Sequence, residues 1–518
     1  MTFCADPLAL RALPALGTKS AVMHRVEYRR ALLGVCIGIV IVIRLVDLFE
    51  PYPGDGAMFM YMGRLVSQGG GIGREMIDNK FPTVGLLMSG PWQWFGGYWP
   101  AWALMLAMMG IGGPFLLARS ARRNLGEHTA LPTLLFSLIF LNFSYGANSF
   151  HLEGILVFFA AIGASAALSA ICSDDARDSF LVGLAAATGA MLKPSALAIL
   201  AAFGAVMLLH LRSRPRRLLT HALAALLGAA IPAAMSLIYL SGSDLLGAVP
   251  VISKMLARYG AQSQWDAFNW MKWALVLLTI GFPILVRGFI FRRERDRVDQ
   301  PTNNTVLLFA LIWIAIEAAG VTMQGRMYKY HFLVLTPAAA LLFGMLPRRD
   351  RAIPLIAALA MPLLLSVYGA IPRPGEPSSP TQRLALSDYL LTHARPGTQV
   401  WEDAMARLLD ETGLQPGSRF LTTFLWANDD TSAAEYCPEM IADFERLRPE
   451  YIVLTTDTER HVQKYVNGIE ELSRNPRRAA AYRHAWEQVR QYVQQHYVAE
   501  AQVGKETVFR RKPSAAKG

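Results

Sequence analysis

Long apolar runs, separated by short polar stretches, fill the first three-quarters of the chain. A run near 20 apolar residues matches the length of a helix that crosses a bilayer. On this pattern the sequence predicts spans at Ala31–Phe49, Trp99–Ala118, Glu127–Tyr145, Leu152–Ile171, Phe180–Leu192 and Ser195–Leu211. It predicts five more at Leu218–Leu240, Met271–Phe291, Thr305–Met323, His331–Leu346 and Ala352–Ala370. Phe180–Leu192 is short for a span. Beyond residue 370 the pattern changes. "TQVWE", "RFLTT", "EYIVLTT" and "ETVFRR" read as short strands, with helical runs such as Ala404–Glu411 and Tyr482–His496 between them. "RPGEPSSPTQR" reads as a linker. The expected fold is therefore an all-α polytopic membrane domain of about 11 transmembrane helices, followed by a C-terminal soluble α/β domain. The divisions are residues 1–30, a cytoplasmic tail; 31–370, the membrane domain with a large first outer loop at 50–98; and 371–518, the α/β domain.

Composition agrees with the pattern. Of 518 residues 53% are hydrophobic and 17% charged, against about 25% charged in soluble proteins, and mean hydropathy is +0.29. The net charge of +11 is uneven. From Ile371 onward 19 basic and 20 acidic residues nearly cancel, so the surplus lies in the membrane part. There it concentrates between apolar runs, in "RSARRN", "RSRPRR", "RRERDR" and "PRRDR", with "SDDARD" the exception. That alternation is the positive-inside signature and places the N-terminus inside, with Arg25, Arg29 and Arg30 holding it. It also accounts for a pI near 9.5 without a nucleic-acid partner. An odd number of spans then puts the C-terminal domain outside. The N-terminal stretch lacks the apolar core and cleavage site of a signal peptide. Cys4, Cys36, Cys172 and Cys437 show no metal or disulfide spacing.

The outer loops are Pro51–Tyr98, Ser149–His151, Lys193–Pro194, Ser241–Trp270 and Gln324–Tyr330, and they hold the charges that need explaining. Charge near a bilayer is costly, about 2.5–3.5 kcal/mol at a helix centre. Asp55 in "PGDG" is either an interfacial turn residue or a carboxylate at a cavity mouth, available as a general base. Lys80 either snorkels or meets an anion. Lys193 sits in a tight outer turn where topology disfavours lysine, which points to an anionic ligand. His151 and Glu153 open the fourth span. Glu153 is either a helix-terminus residue or a second carboxylate beside Asp55. Lys254 and Arg258 share one helix face at i,i+4, and "GRMYKYHF" adds Arg326, Lys329, Tyr330 and His331. Arg and Lys together suit a phosphate or pyrophosphate. No metal cluster stands out, since His151 and His331 are lone histidines. "GGGIG" matches no nucleotide loop and reads as a mobile segment.

An Asp just past the first span, then "YMGRLVSQGGG", then "DNKFP", resembles the first outer loop of GT-C class glycosyltransferases. In pattern it is similar to bacterial aminoarabinose transferases acting on lipid A and to protein O-mannosyltransferases. Those carry an Asp, a Tyr-bearing helix ending in Gly, then Lys-Pro-Pro. Here Asp55, Tyr61 through Gly69, and Lys80-Phe81-Pro82 correspond, with Phe in place of the middle Pro. "HLEG", "MLKPSAL" and "YKYHFLVLTPAAALLFG" extend the likeness, Glu153 standing where the family usually has Asp. The resemblance implies a sugar donor on a polyprenyl phosphate, such as undecaprenyl phosphate, and an acceptor hydroxyl on a lipid, glycan or protein. It implies Asp55 and Glu153 as catalytic carboxylates, and Lys80, Lys193, Arg258 and Lys329 as donor-phosphate contacts. Tyr61, His151, Lys254, Arg326, Tyr330 and His331 are candidate substrate contacts. No cofactor is expected, and a divalent metal stays open. Localisation follows as a multi-pass inner membrane protein with a periplasmic active site and C-terminal domain, serving cell-envelope or lipopolysaccharide modification. The rival reading is a transporter or flippase of lipid-linked sugars, which gains nothing from a carboxylate fixed on one face and should keep polar groups near mid-membrane. A polysaccharide ligase or polymerase is the third.

Overall fold

The computed structural model describes residues 54–143, 150–260, 301–323, 329–345, 380–403, 406–427, 431–454 and 475–513, with scattered positions near 40 and 275. Among the described residues the chain is mostly helical, with one small sheet near its C-terminal end. The expected spans at Ala31–Phe49, Met271–Phe291 and Ala352–Ala370 lie largely or wholly outside the described residues, as does most of the linker. The other apolar runs fold as helices, Trp99–Leu125, Glu127–Phe143, Leu152–Ser173, Ala176–Ala190, Leu197–His210, Pro215–Gly242, Pro301–Met323 and Thr336–Met345. Among the described residues four helices are long and apolar enough to cross a membrane: Trp99–Leu125, Leu152–Ser173, Pro215–Gly242 and Asn304–Met323.

Local chemistry sets where the helices stop. Leu152–Ser173 ends on Asp174 in the left-handed conformation, φ 57°. Asp175 then caps the next helix, its side chain accepting from the Arg177 N–H at 2.9 Å. Asp174 also pairs with Arg217 and with His221 Nε2 at 2.9 Å. The acidic "SDDARD" is therefore spent on caps and on a clasp to the next basic loop. The Ala176–Ala190 and Pro215–Gly242 helices approach closely through Gly183 and Gly228, where a Cβ would strike the partner's backbone at Ala225 and Phe180. Leu223, Leu227, Ile231, Met235 and Ile238 of the longer helix stay exposed, as expected for a lipid-facing surface.

The described part of the loop at 50–98 begins at Gly54 and is not extended. It folds into two helices, Gly54–Ser67 and Thr83–Phe95, packed on each other. The glycine run between them corrects the expectation of a mobile segment. A Cβ on Gly70 would meet Leu65 at 2.6 Å, Gly71 lies on Leu245, and Gly73, at φ 100°, lies on Ala248. Ile72 is fully buried, the Gly71 N–H donates to Glu75 Oε2 at 2.7 Å, and the Gly73 N–H donates to the Met76 carbonyl at 2.6 Å. These glycines serve close approach.

The C-terminal part is α/β. Strands β1 (Gln399–Glu402), β2 (Gln415–Pro416), β3 (Tyr451–Leu454), β4 (Tyr497–Val503) and β5 (Glu506–Arg511) form a sheet ordered β2-β1-β3-β5-β4. β1 is parallel to β2 and β3, and β5 is antiparallel to β3 and β4. "RFLTT" is not a strand: Thr423 starts a 3₁₀ helix because Asp403 Oδ1 takes its N–H at 2.7 Å, withdrawing that donor from any ladder. The buried apolar core runs without a break from Met60 and Ile72 of the segment before Trp99 into Trp401 and Leu409 of this domain.

Candidate active site

Four segments, at Lys80, Phe150–Glu153, Lys193 and Tyr330–His331, gather near the first turn of the Gly54–Ser67 helix. Gly56 makes the approach possible, since a Cβ there would lie 2.8 Å from Phe150 Cβ. The next residue, His151, precedes the Leu152–Ser173 helix, and its Nδ1 lies 3.3 Å from Asp55 Oδ2. The His151 ring stacks on Tyr330, centroids 4.0 Å apart, and Tyr330 meets His331 edge to face at 4.7 Å. His331 Nε2 lies 3.8 Å from Glu153 Oε1, which accepts from Lys193 Nζ at 2.6 Å. Seven sequence-selected residues (Asp55, Lys80, His151, Glu153, Lys193, Tyr330 and His331) thus form one chain of contacts and mutual fields.

Lys80 is placed by its neighbours. Asp78 Oδ1 accepts the Lys80 N–H at 3.0 Å, an Asx turn, and lies 3.5 Å from Lys80 Nζ. The Lys80 ammonium donates to Asn79 Oδ1 at 2.6 Å. Thr83 Oγ1 donates to the Met191 carbonyl at 2.7 Å, fastening this loop to the turn that presents Lys193. Asp78, Asn79 and Thr83 are buried. Asp78, Asn79 and Thr83 are not among the residues that the sequence singles out. The two-residue Asp-to-Lys spacing was the available signal for the turn.

The electrostatics favour charge on both groups. Burial alone would raise the Asp55 pKa, but His151 beside it and the Lys80 ammonium outweigh burial and hold the carboxyl below its usual range. Burial would lower Lys80, yet Asp78, then Asp55 and Glu153, outweigh it and raise the ammonium above its ordinary value. Asp55 keeps 55% of its side-chain surface open, so the carboxylate can be reached.

Other selected residues lie elsewhere. Arg258 and Lys254 pair with Glu435 of the C-terminal domain, at 2.5 and 3.4 Å. Tyr61 is buried on the side of its helix facing Arg64 and Asp410. Arg326 and the Lys329 side chain lie outside the described residues. Glu153 neighbours Lys193 and His331, while Asp55 has His151 as its partner. Among the described residues no group of three or more His, Cys, Asp or Glu is arranged to hold a metal ion.

No protein-family model matches the chain, and no curated protein matches it. Among solved structures it is similar to the apo form of the oligosaccharyltransferase of Archaeoglobus fulgidus, with a TM-score of 0.44 and 11% identity over 83% of this chain and 70% of that one. At that TM-score the likeness carries no weight for function.

Proposed function

We propose that the protein is an inverting glycosyltransferase of the GT-C class, moving a sugar from a polyprenyl-phosphate donor to a hydroxyl of a lipid, glycan or protein acceptor at the outer face of the inner membrane. The supporting observation is a reachable carboxylate, Asp55, held charged beside Lys80 and His151 next to apolar helices.

An alcohol is a weak nucleophile until a base takes its proton. Asp55 accepts that proton as the acceptor oxygen attacks the anomeric carbon. The bond from that carbon to the phosphate oxygen breaks on the opposite side, so the configuration inverts. The polyprenyl phosphate leaves with the electron pair, and the proton passes from Asp55 to water. A carboxylate with a depressed pKa is a modest base and suits late proton transfer, once bond formation has acidified the hydroxyl. Negative charge grows on the leaving phosphate, and fixed cations in a partly dry site stabilise it strongly. Lys80 supplies one such cation. Lys193, held by Glu153, supplies the second, and His151, stacked on Tyr330, lies beside the base.

The test is transfer of labelled sugar from a polyprenyl-phosphate donor by the purified protein in lipid nanodiscs. The expected product carries the inverted anomeric configuration. In the same assay Lys80→Ala weakens donor binding more than it slows the bound step. Unchanged donor affinity in that variant counts against the phosphate contact, and donor translocation in vesicles without transfer selects the flippase reading.

A further inference from the structure

The Gly54–Ser67 helix carries Asp55 in its first turn and Arg64 in its last. At about 100° per residue these positions fall on opposite sides of one rigid element. Asp55 meets His151 at the mouth. Arg64 turns away, its Nη1 donating to the Leu409 carbonyl at 2.7 Å and lying 3.7 Å from Asp410 Oδ1. Both side chains are enclosed, 11% and 2% exposed.

The second half of the loop is held by the same domain. The Ile77 N–H donates to the Arg419 carbonyl at 2.8 Å, three residues before Lys80. Arg419 is itself fixed, since Asp443 Oδ2 accepts its N–H and its Nε, each at 3.0 Å, and Ser418 Oγ donates to the same oxygen at 3.2 Å. The Ala248–Gly260 helix, on which Gly73 rests, is tied to the domain through Arg258 and Lys254 on Glu435. A tethered module would meet the rest through a small polar interface. Here the core is shared instead.

We propose that the C-terminal domain is a positioning element of the site, holding Asp55 through Arg64 and Lys80 through the Ile77–Arg419 bond, with Arg64 as the positioning residue. The inference deepens the reading of Asp55 and Lys80 as the working pair and rests on it. Misplacing a reacting group by about 1 Å can cost about a hundredfold in rate. A shift of this domain moves base and cation together only while both ties hold. Cutting the Arg64 tie changes their separation.

Hydrogen exchange on the full-length protein in nanodiscs, read by mass spectrometry, tests the coupling without any substrate. Arg64→Ala is expected to speed exchange at residues 54–67, leaving residues 76–82, which the Ile77–Arg419 bond still holds, and the Leu152–Ser173 helix unchanged. Arg64→Lys, which keeps the charge and a donor for the Leu409 carbonyl, should restore most of the protection. Arg510→Ala, which removes ion pairs with Glu450 and Glu500 and a contact over the Tyr451 ring, away from both ties, serves as the control and should change neither segment. In the transfer assay Arg64→Ala lowers kcat about tenfold and moves the acid limb of the pH profile up, as Asp55, its tie cut, relaxes away from Lys80. Faster exchange confined to residues 406–412, or an unmoved acid limb, overturns the proposal. Where the alanine variant does not accumulate, Arg64→Gln carries the same measurements, with the same expected and overturning outcomes. If the wild-type protein transfers nothing, the transferase reading fails, and the exchange data still decide the coupling.

Discussion

Lys80 and Lys193 face the same site in different company. Glu153 holds Lys193 at 2.6 Å, while Lys80 rests on the neutral Asn79 amide with Asp78 further off, so Lys80 is the cation more open to an incoming phosphate. Lys80→Ala should therefore raise the donor Kd at least about tenfold, the cost of about 1.4 kcal/mol expected for one charge-assisted contact. The same change should show in the pH profile. Asp55 has a depressed pKa, so the activity that needs its carboxylate is present above that pKa and lost as pH falls through it. The wild-type profile should stay flat from neutral pH down to about 4, near the ordinary Asp value. Without the Lys80 charge the loss should begin at higher pH, and an unmoved acid limb would separate Lys80 from Asp55. The site residues were legible individually because most stand at the end of an apolar run, where a charge is costly, and Lys80 in the loop between two such runs. Their pairing was not. Lys254 and Arg258 read as ligand contacts because Glu435 lies 181 and 177 residues away in sequence, and only the folded C-terminal domain brings it there.

Helices and strands were legible to unequal degrees, for reasons seen in particular elements. Apolar length placed Leu152–Ser173 and Pro215–Gly242 to within a few residues. The glycines at 70, 71 and 73 carried an ambiguous signal, since the same residue serves freedom and close packing, and Leu245 and Ala248 decide for packing. β4 escaped because its side chains are mostly exposed, which erases the period of two. The Gly183–Gly228 contact gives an element-scale prediction. Gly183→Ala or Gly228→Ala should push the two helices apart and cost about 1–3 kcal/mol, the usual cost of overpacking. Thermal unfolding in detergent would read this as a lower midpoint. A wild-type midpoint for both variants would mean the helices part without cost.

At the scale of the whole molecule, the helices at Gly54–Ser67 and Thr83–Phe95 and the C-terminal domain share a core and should unfold together. Asp443 is a sensitive point. Burial would raise its pKa, but Arg446 and Arg419 outweigh that and hold it low, so its stabilisation is present above the unfolded Asp value and lost as pH falls through the lower folded one. Asp443→Ala removes acceptors from Ser418, Arg419 and Arg446 at once. It should destabilise the domain by about 2–3 kcal/mol, the range for hydrogen bonds to a charged group, and raise exchange at Ile77. Orientation is open to test by cysteine labelling in a cysteine-free background. Ser213→Cys, between basic residues of a loop that the charge pattern assigns to the inside, should resist an impermeant reagent in intact cells, and Glu439→Cys of the C-terminal domain should react. The reverse pattern would invert the topology and put Asp55 on the wrong side for a lipid-linked donor.

The central claim is that Asp55 is the base, and the most direct measurement compares sugar transfer and donor binding in the wild-type protein and in Asp55→Asn. Donor binding should persist in the variant, because Lys80 and Lys193 remain, while transfer falls at least about a hundredfold, the size of a general-base contribution. Full transfer by Asp55→Asn would contradict the claim and remove Asp55 from the chemistry.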